Sequence, residues 1–184
     1  GMAILLVPLL GLMVLPLEAV VVSNLVALMI GLAGLRRAWA GAQQSSVLMI
    51  GALAMVATPL GLWLLDATDP ALARLLIALV AILAFVLILL PQRPDGHRVH
   101  GAETAATGLA AGVLTGFAGM PGPPVVPYYL RQAIPPTQAR ASMLAVFFAT
   151  SLASSVAALG MGLAGRSSAL LALLSPLFLL IAAL

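Results

Sequence analysis

The sequence contains no cysteine and no lysine, and it is poor in charge of either sign. Without cysteine it can form no disulfide and no thiolate metal site. Charged residues make up 7% of the 184 positions and apolar residues 63%, whereas a soluble domain carries about 25% charged residues. Because five acids and eight arginines cannot cover a soluble surface of this size, the chain is predicted to lie in a lipid bilayer.

Several ligand classes also find no support in the sequence. The arginines are scattered between apolar runs rather than gathered in one patch, so no nucleic-acid partner is expected. His97 and His100 lie in a hydrophilic loop without a cluster of other metal ligands, and we interpret them as solvated residues rather than a metal site. No nucleotide-binding loop is present, and no cofactor is predicted.

Six apolar runs alternate with short polar connections. A run of about 20 apolar residues can span the hydrocarbon core as a helix, and in lipid every backbone amide must find a partner within the protein. The fold class is therefore predicted to be all-α, a polytopic helical membrane protein. The runs cover residues 19–35, 47–65, 71–90, 104–119, 141–163 and 168–184.

The connections between the runs carry nearly all of the charge. Arg36 follows the first run, Asp66 the second and Arg93 the third. Because positive residues concentrate in cytoplasmic loops, the chain is predicted to be a multi-pass protein of the inner (plasma) membrane. The Arg36 and Arg93 loops are expected to be cytoplasmic, and the Asp66 loop is expected outside.

The chain contains an internal repeat. After a shift of 119 residues, "VPLLGLMVLPLEAVVVSNL" aligns with "VPYYLRQAIPPTQARASML". The alignment pairs Pro16 with Pro135 and Ser23 with Ser142. Matched prolines followed by a matched serine are hard to obtain from shared hydrophobicity alone, so two homologous halves are predicted.

The repeat divides a single transmembrane domain, residues 1–184, into predicted parts. Residues 1–91 form the first repeat, residues 92–102 a cytoplasmic loop and residues 103–184 the second repeat. The same alignment predicts that the first repeat lacks its opening helix and the second its last helix. A naturally short protein is the alternative.

The strongest interruption of the apolar pattern is "GFAGMPGPPVVPYYL" at 116–130. A continuous helix is not expected there, because proline lacks a backbone donor and its ring clashes with the preceding turn. The repeats are parallel if the chain crosses the membrane once at this break, and inverted if it turns back. Arg131 and Arg140 favour a cytoplasmic loop after the break, and therefore a re-entrant helix and inverted repeats.

Such a break leaves backbone groups that only protein or a polar cavity can solvate. Helix N-termini carry a partial positive charge and unpaired amides, so they attract anions. The available amides at the break are predicted to bind substrate, and they belong to Gly119, Met120, Gly122 and Val125.

Side chains near the matched prolines complete the predicted substrate site. Ser23, Asn24 and Ser142 interrupt apolar runs, although a serine can instead bond the carbonyl four residues earlier. Tyr128 is predicted either to close the cavity or to lie at the membrane interface. Arg140 is either the countercharge of an anion or an anchor at the inner surface. Further candidates lie deeper in the same later helix: Ser151, Ser154 and Ser155.

Two segments carry a resemblance to a known family: "VPLLGLMVLPLEAVVVSNLVALMIGLAGLRR" and "GVLTGFAGMPGPPVVPYYLRQAIPPTQARAS". They resemble the sulfite exporter (TauE/SafE) family of bacterial membrane transporters, over essentially the whole chain. The resemblance implies two tandem homologous halves and seven or eight spans in a complete member. It also implies movement of small sulfur-containing anions, such as sulfite and organosulfonates. The turn "MPGPP" is more proline-rich than the glycine run of the family.

The sequence therefore predicts a secondary transporter, an exporter of small anions that works by alternating access at the repeat interface. The expected partners are a small anionic substrate and the lipid bilayer. The sequence does not decide whether the chain forms a homo-oligomer. Two alternatives are a structural or assembly protein that moves nothing, and an enzyme acting on a lipid phosphate. An enzyme needs converging acids, bases or metal ligands, and these are nearly absent from the apolar runs, so no catalysis is predicted.

Overall fold

The computed structural model describes residues 15–89 and 100–162, and within these ranges all regular structure is helical. This confirms the predicted all-α fold. The first fourteen residues, the Arg93 loop with His97, and the last apolar run at 168–184 lie outside the described residues. The six helices are α1 (Pro16–Gly41), α2 (Gln44–Ala67), α3 (Pro70–Leu89), α4 (Gly101–Ala118), α5 (Gly122–Leu130) and α6 (Pro136–Gly160).

Two of these helices, α2 and α6, are long and apolar enough to cross a membrane. Helix α1 is bent by 72° between its parts Pro16–Leu32 and Gly34–Gly41, which together would form a third span. Helix α3 is apolar over the shorter stretch Pro70–Val86. These lengths fit a bundle whose helices cross a hydrocarbon core about 30 Å thick.

Two exposed tryptophans mark the ends of the bundle. Trp39 lies five residues before helix α2 begins, and Trp63 lies 19 residues after its first residue. Nineteen residues of helix rise about 29 Å, close to the thickness of the hydrocarbon core. Both side chains are exposed, Trp63 to 58%, as expected for an aromatic belt at each membrane surface.

The matched prolines mark the starts of two helices. Pro16 is the first residue of α1, and Pro135 immediately precedes the first residue of α6, Pro136. Proline is well suited to a first turn, where its missing N–H would have no intrahelical partner. The aligned segments therefore have the same local structure over their second parts, a proline followed by a long helix.

Helices α1 and α6 nevertheless run in opposite directions. Gly41, at the end of α1, lies against Ala141 near the start of α6; a Cβ on the glycine would be 3.4 Å from the alanine Cβ. Asn24, near the start of α1, is hydrogen-bonded to Ser154 near the end of α6. The end of α1 therefore lies beside the start of α6, and the start of α1 beside the end of α6, so the two helices are antiparallel.

Helices α2 and α4 are parallel and touch through glycines that lie every four residues on one face of α4. A Cβ on Gly112 would lie 2.5 Å from the carbonyl oxygen of Ala54, closer than a side chain allows. Small residues let helix backbones approach in this way. The successive contacts are Gly108 with Ile50, Gly112 with Ala54, and Gly116 with Thr58.

The chain turns back on itself between α4 and α5. Thr104 lies 15 residues before Gly119, and Tyr128 lies nine residues after it. Along one straight helix, 24 residues would separate them by about 36 Å. Their side-chain oxygens, Thr104 Oγ1 and Tyr128 Oη, are 2.8 Å apart. Helix α5 therefore runs antiparallel to α4, and together they form a helical hairpin whose tip is the Gly119–Pro121 turn.

Candidate functional site

Helix α4 ends at Ala118, and the next residue, Gly119, has left-handed backbone angles (φ 66°, ψ 19°). This conformation suits glycine because it has no Cβ. The turn directs the Gly119 amide to the Thr115 carbonyl (2.9 Å) and the Met120 amide to the Leu114 carbonyl (3.2 Å). Both amides are therefore bonded within their own helix end, whereas the sequence predicts them to be available to an anion. That Gly119 and Met120 contact substrate stays a prediction.

The N-terminus of α5 lies on the other side of the turn. Pro121 precedes the helix, and no side chain caps its first turn. Pro123 and Pro124 have no amide hydrogen, so the first-turn donors come from Gly122 and Val125. A Cβ on Gly122 would meet nothing within 4 Å, whereas Val125 is fully buried. Of these two residues, Gly122 therefore has open space at the position of its missing side chain.

Asn24 joins three helices beside this turn. Its side chain is 2% exposed, and its Nδ2 donates to Ser154 Oγ in α6 (2.8 Å) and to the Thr115 carbonyl in α4 (3.3 Å). The same carbonyl accepts the Gly119 amide, so a single shared acceptor connects Asn24 to the break. We call Asn24, Thr115 and Ser154 the asparagine layer.

The orientation of the Asn24 amide follows from its partners. A backbone carbonyl can only accept a hydrogen bond, so the amide nitrogen must face Thr115. Both donor hydrogens of Asn24 are then used within the protein. Only its carbonyl oxygen, Oδ1, is left to interact with a ligand, and that atom is an acceptor. The predicted role of Asn24 as a donor to an anion therefore requires one of these two bonds to open.

A second group of polar side chains lies where α2 and α4 begin. Tyr128 Oη bonds Thr104 Oγ1 (2.8 Å), and Tyr129 Oη lies 3.1 Å from Ser46 Oγ. The two rings meet edge to face, with centroids 4.9 Å apart, and both tyrosines are buried. We call Ser46, Thr104, Tyr128 and Tyr129 the tyrosine layer. Tyr128 thus lies inside the bundle, at the depth where α2 and α4 begin.

The repeat-matched serines have different partners. Ser23 Oγ donates to the Ala19 carbonyl four residues earlier (2.7 Å), the local bond that a helical serine makes by itself. Ser142 Oγ makes the same kind of bond to Gln138 (2.9 Å), and it also accepts the backbone amide of Gln43 (2.8 Å). Only Ser142 therefore links two parts of the chain.

Arg140 lies in the first turn of α6 and is exposed. Fourteen residues of the same helix, about 21 Å, separate it from Ser154 in the asparagine layer. The structure therefore does not bring Arg140 to Asn24, in keeping with the anchor interpretation of this residue.

The predicted site residues fall into two groups at different depths. Thr104 and Thr115, one from each layer, are separated by eleven residues of α4, which is about 16 Å along the helix axis. The structure brings Asn24 to the end of α4, where the Thr115 carbonyl also accepts the Gly119 amide. Tyr128 and Ser142 lie with the other group. The sequence did not predict Ser46, Thr104 and Thr115 as site residues. The polar pair Ser45-Ser46, just before an apolar run, was the pattern that could have indicated Ser46.

No group of three or more His, Asp or Glu residues that could hold a metal ion is found within the described ranges. The polar groups at the turn are amides, hydroxyls and one side-chain carboxamide. These groups can bind and orient a small ligand, whereas acid–base chemistry at neutral pH uses ionisable groups with tuned pKa values.

The family model for the sulfite exporter TauE/SafE matches residues 1–184, the full length of the chain. The chain belongs to the TauE/SafE family. This confirms the resemblance seen in the two proline-containing segments. The TauE/SafE family is one of membrane transporters, which agrees with the apolar helices described above. Searches among curated proteins and among solved structures gave no match.

Proposed function

We propose that this TauE/SafE protein is a secondary transporter that exports small anions, such as sulfite or organosulfonates, by alternating access. The observation that carries the proposal is the α4–α5 hairpin. Its turn breaks the helix inside an apolar bundle, and such breaks occur in transporters where backbone ends face the substrate. The anion would be held at the N-terminus of α5, beside the open space at Gly122.

The strength of this site can be bounded. A helix N-terminus stabilises an anion by about 0.3–2 kcal/mol, while removing an ion from water costs several kcal/mol. Because the Gly119 and Met120 amides are already bonded, the amides of Gly122 and Val125 cannot offset that cost alone. The proposed site therefore needs water or further partners around the anion.

The direction of the two long matched helices supports alternating access. Helices α1 and α6 carry the aligned segments and run antiparallel, which is the arrangement that inverted repeats require. Inverted repeats can exchange roles about a site at their interface, so that it opens to each side in turn. Asn24, in the first predicted repeat, bonds Thr115 and Ser154 in the second, which supports a site between the repeats.

We further propose that the chain lies in the inner membrane with the tyrosine layer toward the cytoplasm. Arg131 and Arg140 flank the link between α5 and α6, and Arg36 and Arg37 lie near the end of α1, at the same end of the bundle. Asp66 and Asp69 lie at the opposite end. Positive residues favour the cytoplasmic side. In this orientation, the buried tyrosines would close the cytoplasmic side of the site.

Replacement of Gly122 by alanine tests the proposal. The added methyl group would contact no protein atom within 4 Å, and the backbone angle of Gly122 is acceptable for alanine. The methyl would, however, occupy the space that the anion needs. We expect sulfite flux into proteoliposomes to fall at least about tenfold, equivalent to about 1.4 kcal/mol.

Gly34→Ala is the matched control, because a Cβ there also meets nothing within 4 Å and the residue lies in α1. It should transport like the unmodified protein. Equal flux in the Gly122 and Gly34 variants would show that the N-terminus of α5 does not hold the anion. Absence of flux in the unmodified protein would favour the structural or assembly alternative.

A further inference from the structure

We propose that the asparagine layer binds a small monovalent cation, with sodium as the first candidate, through Asn24 Oδ1 and the hydroxyl of Ser151. This inference rests on the proposed function, because an ion bound beside the substrate would drive the transport of that substrate. It names a coupling ion and the residues that hold it.

Two deeply buried oxygens have unused bonding capacity. Every fully enclosed side-chain nitrogen or oxygen in the described part of the chain has a hydrogen-bond partner. Asn24 Oδ1 and Ser151 Oγ make no hydrogen bond with any described residue, so neither atom is fully enclosed. Each residue is only 2% exposed. The small accessible area of these oxygens therefore adjoins a space that admits a water-sized particle.

Both oxygens belong to residues that adjoin Ser154. Ser151 precedes Ser154 by three residues of α6, and residues three apart share a helix face. Asn24 Nδ2 lies 2.8 Å from Ser154 Oγ. The end of α4 lies here too, because the Thr115 carbonyl is 3.3 Å from the same nitrogen. The Leu114 and Thr115 carbonyls already accept the Met120 and Gly119 amides, so further oxygen ligands would come from the carbonyls that follow Thr115.

The sign of the expected ligand charge follows from these groups. Asn24 Oδ1 can only accept a hydrogen bond or coordinate a cation. A helix C-terminus carries a partial negative charge of about half an elementary charge, and broken-helix C-termini with carbonyl oxygens hold the cation in transporters of known mechanism. Because no carboxylate belongs to this group, a single positive charge is better matched than a double one.

The hairpin therefore presents ends of opposite sign to two ions. The N-terminus of α5 suits the anion, and the C-terminus of α4 suits the cation, on either side of the Gly119–Pro121 turn. A cation at Asn24 would lower the cost of burying an anion nearby, which the first-turn amides cannot offset alone. By linkage, each ion then raises the affinity for the other by the same factor.

Cation binding can be measured without transport. The full-length protein in detergent would be unfolded thermally in sodium chloride and in choline chloride at equal ionic strength, and binding would be followed with radioactive sodium. A cation that binds only the folded state raises the melting temperature as its concentration increases. We expect sodium to stabilise the unmodified protein more than choline does.

Ser151→Ala is the decisive variant, because it removes the unpaired hydroxyl without breaking any described hydrogen bond. The sodium concentration for half-maximal stabilisation should rise about tenfold, as expected for the loss of one ligand. Thr150→Val is the control: its hydroxyl bonds the Phe147 carbonyl of its own helix (3.0 Å), and it should keep the sodium affinity of the unmodified protein.

Two results would overturn the inference. Equal stabilisation by sodium and choline would mean that water fills the space, and unchanged sodium affinity in Ser151→Ala would mean that the ion lies elsewhere. In either case sulfite flux could persist, and the proposed function would stand. Sodium binding that is weakened by Ser151→Ala, in a protein without anion flux, would support this site and contradict the proposed function.

Discussion

The two polar layers of the bundle differ in how completely their groups are paired. In the tyrosine layer, hydroxyl meets hydroxyl between Tyr128 and Thr104 and between Tyr129 and Ser46, and Ser46 also bonds Gln43. In the asparagine layer the amide nitrogen of Asn24 makes two bonds while its carbonyl oxygen makes none with a described residue. A closed, paired layer suits a barrier, whereas an unpaired acceptor suits a binding site.

Both layers depend on helix α4, which packs closely against α2. Helix α2 carries Ser46, and helix α4 carries Thr104 at one depth and Thr115 at the other. The glycine contacts with α2 therefore position the one helix that both layers share, and disturbing them should affect both layers together. Changes within a single layer should have smaller and separable effects.

The largest effect is expected from Gly112→Ala. The new methyl group would lie 2.5 Å from the Ala54 carbonyl oxygen and 2.8 Å from the Ala54 Cα, so the two backbones would have to separate. We expect the free energy of unfolding to fall by about 1–3 kcal/mol, as for other overpacked cores. Thermal unfolding in detergent measures this loss.

Gly101→Ala is the control within the same helix, because a Cβ at Gly101 meets nothing within 4 Å. Equal melting temperatures for the two alanine variants would mean that the close contact between α2 and α4 is not formed.

Tyr129→Phe should weaken the tyrosine layer alone. The change removes one hydrogen bond and leaves Ser46 its bonds to Gln43, so we expect a loss of about 1 kcal/mol. If this layer is the barrier, Ser46→Cys should also react faster with a thiol reagent in the Tyr129→Phe background. The chain has no other cysteine, so labelling reports this position alone. An unchanged labelling rate would argue against a barrier role.

The smallest effects separate the two matched serines. Ser23→Ala removes only a bond to the preceding turn, and its effect should stay within about 0.5 kcal/mol. Ser142→Ala also deprives the Gln43 amide of its acceptor, and it should cost about 1 kcal/mol. Melting temperatures of the two variants give the comparison, and a larger loss for Ser23→Ala would reverse this assignment of roles.

The position of the break could be read from the sequence because proline and glycine act locally. Helix α4 ends at Ala118 and α5 begins at Gly122, within the segment where continuous helix was not expected. The small face of α4 was also readable, since glycines every four residues lie on one side of a helix. Its partner was not, because periodicity identifies a face and not the helix opposite it.

The hydrogen bonds of the candidate site were less predictable. Ser23 and Ser142 have the same place in the repeat, but only Ser142 lies against the Gln43 amide. That difference arises from the packing of α6 against the start of α2, which no local pattern encodes. The bonds of the Gly119 and Met120 amides were unpredictable for a related reason: a left-handed turn returns them to carbonyls of α4, and counting donors in the sequence does not reveal where they point.

The shortness of helix α5 has a consequence for biogenesis. Its nine residues rise only about 13 Å, less than half of the hydrocarbon thickness. Such a segment cannot leave the insertion machinery as an independent span, because its ends would expose bare peptide groups to lipid. It can dock only against a surface already provided by α4 and its neighbours, so the hairpin tip should be among the last parts of this protein to assemble.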